Sequence, residues 1–139
     1  MSQRVLLVED DATIGQMYVH KFEQVDFDVD YQQDAAGALE RLKSHMFDVM
    51  LIDILLPKMN GLQLIKEIRK DARFAKVPIV IITNLLPAEL QLKQEVMKSL
   101  GVSALYVKAQ ISPTELANQI KALLALQSSW NNEIWAALF

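Results

Sequence analysis

Five short apolar runs alternate along this chain with longer stretches in which apolar residues recur every three or four positions. Runs of four or five branched residues with little polar alternation suit strands buried on both faces of a parallel sheet. The pattern predicts strands at 4–8, 27–31, 47–52, 78–82 and 104–107. The second, Phe27-Asp28-Val29-Asp30-Tyr31, alternates polar with apolar and is predicted to lie at a sheet edge.

Between the runs the spacing turns helical. Ile14, Met17, Tyr18, Phe22 and Val25 share one face, as do Leu62, Ile65 and Ile68. Asp34 is placed to cap a helix over 35–44, which Gly37 weakens. Pro87 suits the first turn of a fourth helix and Gly101 its stop. Ser112-Pro113-Thr114-Glu115 carries a capping box with proline at the first helical position. Five βα units predict an α/β domain: a doubly wound, five-stranded parallel sheet with five helices. In the flavodoxin-like order 2-1-3-4-5, strands one, three, four and five are neighbours, and function collects at their carboxyl ends.

What stands at those ends is chemistry. Asp53 closes the apolar run Val49-Met50-Leu51-Ile52 and is followed by Ile54-Leu55-Leu56. A lone buried carboxylate costs several kcal/mol unless a partner or a metal offsets it. Glu9-Asp10-Asp11 follows the first run, Thr83 the fourth and Lys108 the fifth. Singly, each has a plain structural explanation: Asp10 or Asp11 caps a helix, Thr83 ends a strand, Lys108 snorkels from a loop. Four such residues at matching strand ends point jointly to a metal- or phosphoryl-binding site.

Composition narrows the classes. The chain has 139 residues, 52% of them hydrophobic and 22% charged, which fits one soluble globular domain. Its net charge of −3, with basic residues scattered, argues against nucleic acid as a direct partner. With no cysteine there is no disulfide framework or thiol chemistry. No apolar stretch approaches the ~20 residues of a membrane span, and no leader pattern opens the chain, so a cytoplasmic location is expected.

Over residues 3–127 the sequence resembles the receiver domains of two-component response regulators. The segment Asp53-Ile54-Leu55-Leu56-Pro57-Lys58-Met59-Asn60-Gly61 looks like that family's phosphoacceptor region, and Val5-Leu6-Leu7-Val8-Glu9-Asp10-Asp11 like its opening strand and acidic pocket. The resemblance implies that Asp53 accepts a phosphoryl group from a histidine kinase or phosphotransfer protein. It implies Mg²⁺ held by Asp10, Asp53 and the Leu55 carbonyl, with Glu9 acting through water and Asp11 left as the helix cap. It further implies Lys108 as the active-site lysine, Thr83 as the switch hydroxyl and Tyr106 as the switch aromatic. The fourth helix, fifth strand and fifth helix then form the output surface toward a downstream protein, and catalysis is limited to the domain's own phosphorylation and dephosphorylation. Two positions depart from the pattern. Ala109 replaces the proline that usually follows the lysine, joined there by a cis bond, and Asn84 stands where a smaller residue is common. Leu55 and Leu85 are expected to flank the site and hinder an attacking water.

Other classes fit less well. A Mg²⁺-dependent aspartyl-phosphate hydrolase usually carries a second acid two residues after the nucleophile, where this chain has Leu55. A flavin-binding protein would need a hydroxyl- and glycine-rich loop where Glu9-Asp10-Asp11 would repel phosphate. A receiver-like scaffold that docks partners without phosphorylation is the third reading. His20 and His45 lack ligand-like neighbours, Met17, Met46, Met50 and Met97 read as core filler, and Lys66, Arg69, Lys70, Arg73 and Lys76 as a solvated face. The domain is expected over 1–127. Residues 128–139, with Trp130, Ile134, Trp135, Leu138 and Phe139, either continue the last helix, fold back on the domain, or form a homodimer or partner contact through the last helix and tail.

Overall fold

A computed structural model of the protein describes residues 2–126. Five parallel strands, β1 (Gln3–Val8), β2 (Phe27–Gln32), β3 (Val49–Asp53), β4 (Ile79–Thr83) and β5 (Ala104–Val107), lie in the order 2-1-3-4-5. The alternating strand β2 takes the edge, as predicted. Five helices separate or follow the strands: α1 (Ala12–Gln24), α2 (Ala35–Leu42), α3 (Gly61–Arg69), α4 (Pro87–Ser99) and α5 (Pro113–Ala125).

Successive strand residues point to opposite faces, so β1, β3, β4 and β5 each feed two cores, while the edge strand β2 feeds one. Leu6, Met50, Ile52, Ile79 and Ile81 pack with Ala38, Leu64, Ile65 and Leu90 of α2, α3 and α4. Val5, Leu7, Val49, Leu51, Val80 and Ile82 pack with Tyr18 and Phe22 of α1 and Leu116 and Ile120 of α5. Covered on both sides, the central strands are apolar along their interiors. That is why the polar residues at their carboxyl ends stand out.

Helix ends follow local chemistry. The Asp11 carboxylate accepts from the Ile14 amide at 3.0 Å and the Asp34 carboxylate from the Gly37 amide at 2.7 Å. Gly101 ends α4 at φ +68°, a conformation glycine adopts without steric cost. At Ser112 the hydroxyl accepts from the Glu115 amide at 3.1 Å, but no returning bond from the Glu115 side chain is found among the described residues. The reciprocal box sits instead at α3, where Asn60 and Gln63 exchange side chain-to-amide bonds of 2.9 Å each.

Beyond the missing return bond at Ser112, three more expectations need correction. Met17 and Met46 are exposed, at 42% and 53%, and only Met50 and Met97 fill the core. Arg69 is not part of a solvated face. Its guanidinium donates to the carbonyls of Phe74, Val77, Leu100 and Gly101 at 2.7–3.0 Å, clamping the end of α3 to the loops before β4 and β5. Leu85 turns into the core on the α2–α3–α4 side rather than flanking the site. The helical or docking role expected of residues 128–139 lies outside the described residues.

Candidate functional site

Glu9, Asp53 and Thr83 are the buried polar residues of the described core, at 0%, 2% and 0% exposure. Asp53 and Thr83 are the last residues of β3 and β4, and Lys108 follows β5 directly. The β3–β4 register pairs Asp53 with Ile82, so Thr83 lies one step beyond the carboxylate on the neighbouring strand.

Lys108 joins the elements. Its ammonium donates to Asp53 Oδ2 at 2.5 Å and also to Glu9 Oε1. The other oxygens are occupied too: Glu9 Oε2 accepts from the Asp11 amide at 3.2 Å, and Asp53 Oδ1 from the Leu55 amide at 3.0 Å. Burial pushes the Glu9 carboxyl above its ordinary value of 4.5, although the bonds from Lys108 and the Asp11 amide work against it. Burial alone pulls Lys108 down, but its hydrogen bonds to Asp53 and Glu9 outweigh that and hold the ammonium above 10.5.

Asp10 is exposed at the mouth, and carboxylate oxygens of Glu9, Asp10 and Asp53 lie within 4.8 Å of one another. Three hard-oxygen ligands facing one ammonium leave two formal negative charges, which one divalent cation neutralises. The donor set therefore fits Mg²⁺ chemistry.

The Thr83 oxygen accepts from the Leu85 amide at 3.2 Å. Tyr106 is half-buried against the α1–α5 side of the core, and burial raises its hydroxyl above the ordinary 10.0. Leu55 is 51% exposed beside the site. Two features here escaped the sequence. Asn84 accepts from the Ala109 amide at 3.1 Å. From β2, the Tyr31 hydroxyl reaches the backbone of the acidic loop. Neither shows in periodicity, because both connect side chains to main-chain atoms far along the chain.

A family model for the response regulator receiver domain matches residues 5–121. The chain belongs to this family. The receiver domain is 30% identical over 125 residues to the phosphate regulon transcriptional regulatory protein PhoB of Escherichia coli strain K12, covering 89% of this chain and 52% of that protein. It is 36% identical over 117 residues to the autoinducer 2 sensor kinase/phosphatase LuxQ of Vibrio vulnificus strain YJ016, covering 84% of this chain and 13% of that protein. Among solved structures, the chemotaxis response regulator CheY4 of Vibrio cholerae superposes with a TM-score of 0.79 at 26% identity, covering 88% of this chain and 99% of that one. The receiver domain thus spans about half or less of these curated relatives. No helix among its described residues is long and apolar enough to cross a membrane.

Proposed function

We propose that this receiver domain takes a phosphoryl group onto the Asp53 carboxylate from a phosphohistidine of a histidine kinase or phosphotransfer protein, and that the adduct resets the surface formed by α4, β5 and α5. The observation that carries the reading is the Lys108 ammonium held between two buried carboxylates, one of them the last residue of the central strand.

An Asp53 oxygen attacks phosphorus, a P–O bond forms and the donor's P–N bond breaks, leaving an acyl phosphate and a neutral imidazole once the ring takes up a proton. Attack of an anion on an anionic group needs positive charge, and Mg²⁺ supplies it when bound. Asp10, Asp53 and the Leu55 carbonyl are suited to direct ligation. Glu9, fully buried where Asp10 is open to solvent, is suited to act through water. Lys108 is positioned to exchange its bond to Asp53 for one to a phosphoryl oxygen, as a mobile point charge. Positioning and charge account for most of the catalysis of phosphoryl transfer, so these few groups suffice.

The Thr83 hydroxyl, at the next strand end, donates to the phosphoryl oxygen and draws the 84–86 loop inward, and Tyr106 repacks in response. The output face carries the exposed Leu86, Leu92 and Val96 in and before α4. Such a face needs only a few kcal/mol of bias to change population.

Incubation with acetyl phosphate and Mg²⁺ followed by intact-mass measurement tests this. A labile single-phosphoryl adduct on the wild type, absent from Asp53→Ala and without added Mg²⁺, is expected. No adduct on the wild type would sink the proposal.

A further inference from the structure

Tyr31 sits on the edge strand β2, in register with Leu7 of β1, two residues before Glu9. Its hydroxyl donates to the Glu9 backbone carbonyl at 2.7 Å and lies 3.3 Å from that of Asp11. The two carbonyls flank Asp10, the one exposed acid of the cluster. The ring reaches them over Gly15 of α1, where a Cβ would stand 2.2 Å from the ring carbon bearing the hydroxyl. Gly15 also donates its own amide to the Asp11 carbonyl at 2.8 Å. A glycine in an α-helix interior costs roughly 0.5–1 kcal/mol against alanine, so its place under an aromatic ring needs a reason. The passage of Tyr31 provides one.

The rest of the loop is anchored around this contact. The Glu9 amide donates to the Gln32 carbonyl at 3.1 Å, and the Asp11 carboxylate caps α1. Among the described residues, Asp10 has no such anchor of its own. The direction of its carboxylate is inherited from the backbone on either side, which the Tyr31 hydroxyl grips.

We infer that Tyr31, admitted by Gly15, is the positioning residue of the cation site: its hydroxyl fixes the main chain on both sides of Asp10 and so aims that carboxylate at the Glu9–Asp53 pair. This rests on the reading of the acidic cluster as a divalent-cation site. Residues that orient a metal's ligands typically contribute 10–100-fold to metal affinity.

The test is binding of Mn²⁺, followed by electron paramagnetic resonance, to the full chain as wild type, Tyr31→Phe, Gly15→Ala and the double variant. Tyr31→Phe is expected to weaken binding about 10-fold, and the phosphorylation rate from acetyl phosphate to recover at saturating metal. Gly15→Ala, which displaces the ring but keeps the hydroxyl, should weaken binding similarly, with little further loss in the double variant. Wild-type affinity in Tyr31→Phe, or simply additive losses, would overturn the positioning role while leaving the cation site intact. If the wild type takes up no Mn²⁺, the cation-site reading fails and the role of Tyr31 with it.

Discussion

The Ala109 amide donates to the Asn84 side-chain oxygen at 3.1 Å, tying the chain after β5 to the loop leaving β4. The two departures from the family pattern are therefore partners. A proline at 109 has no N–H to give, and a smaller residue at 84 has no oxygen to receive it. The Lys108–Ala109 bond is trans, and residues 108–110 form a short 3-10 turn.

A double-mutant cycle of Asn84→Ala and Ala109→Pro should yield a coupling of about 0.5–1 kcal/mol in denaturant melts, modest because the bond is exposed. Additive effects would show the contact to be energetically idle.

Removing the ammonium leaves Glu9 and Asp53 buried without their cation. Lys108→Met should lower metal-free stability by about 3 kcal/mol, and adding Asp53→Asn should restore much of it. A Lys108→Met protein that melts like the wild type in a chelator would contradict this.

Lys108 is held above 10.5 and the Tyr106 hydroxyl above 10.0, whereas an unfolded chain titrates both at those ordinary values. Between the two values the folded protein holds more protons than the unfolded chain. Stability is therefore intact below the ordinary values and falls as pH rises through the folded ones. Urea melts taken on either side of pH 10.5 should show the drop, and Lys108→Met should flatten it.

Gly61 opens α3 with no room for a side chain, since a Cβ there would lie 2.2 Å from the Asp53 carbonyl oxygen. Gly61→Ala should cost about 1–3 kcal/mol and slow phosphorylation by displacing the backbone of Asp53, the proposed acceptor. Calorimetry and the acetyl phosphate assay read the two effects separately.

Arg69 holds four carbonyls from two segments, 74–77 and 100–101. Arg69→Met should destabilise by about 2–4 kcal/mol, and Arg69→Lys should recover little, because an ammonium lacks the planar fork. Full recovery by lysine would show that charge alone suffices.

Much of this was legible in the sequence, for physical reasons. Strands covered on both faces must be apolar, so Asp53 inside such a run was conspicuous, and so were the polar residues closing the runs around it. Asp34, Pro87 and Gly101 marked helix ends because caps and stops depend on single residues. Arg69 was misread because its neighbours Lys66, Lys70 and Lys76 are exposed, and spacing cannot say which basic side chain finds buried carbonyls. Met17 fell on the apolar face by periodicity yet lies at its wet margin. Which of Glu9 and Asp10 is buried also could not be read from composition. Adjacent acids look alike until the main chain turns one inward.

The Thr83 oxygen is occupied by the Leu85 amide, while nothing among the described residues takes the proton of that hydroxyl. A newcomer beside Asp53 could engage the proton without first breaking the bond to the loop. Leu85 is rooted in the packing beneath α4, so a tug on one small hydroxyl would be felt as a shift of the helix floor. On the proposed reading, the link from chemistry to surface is already strung before phosphorylation.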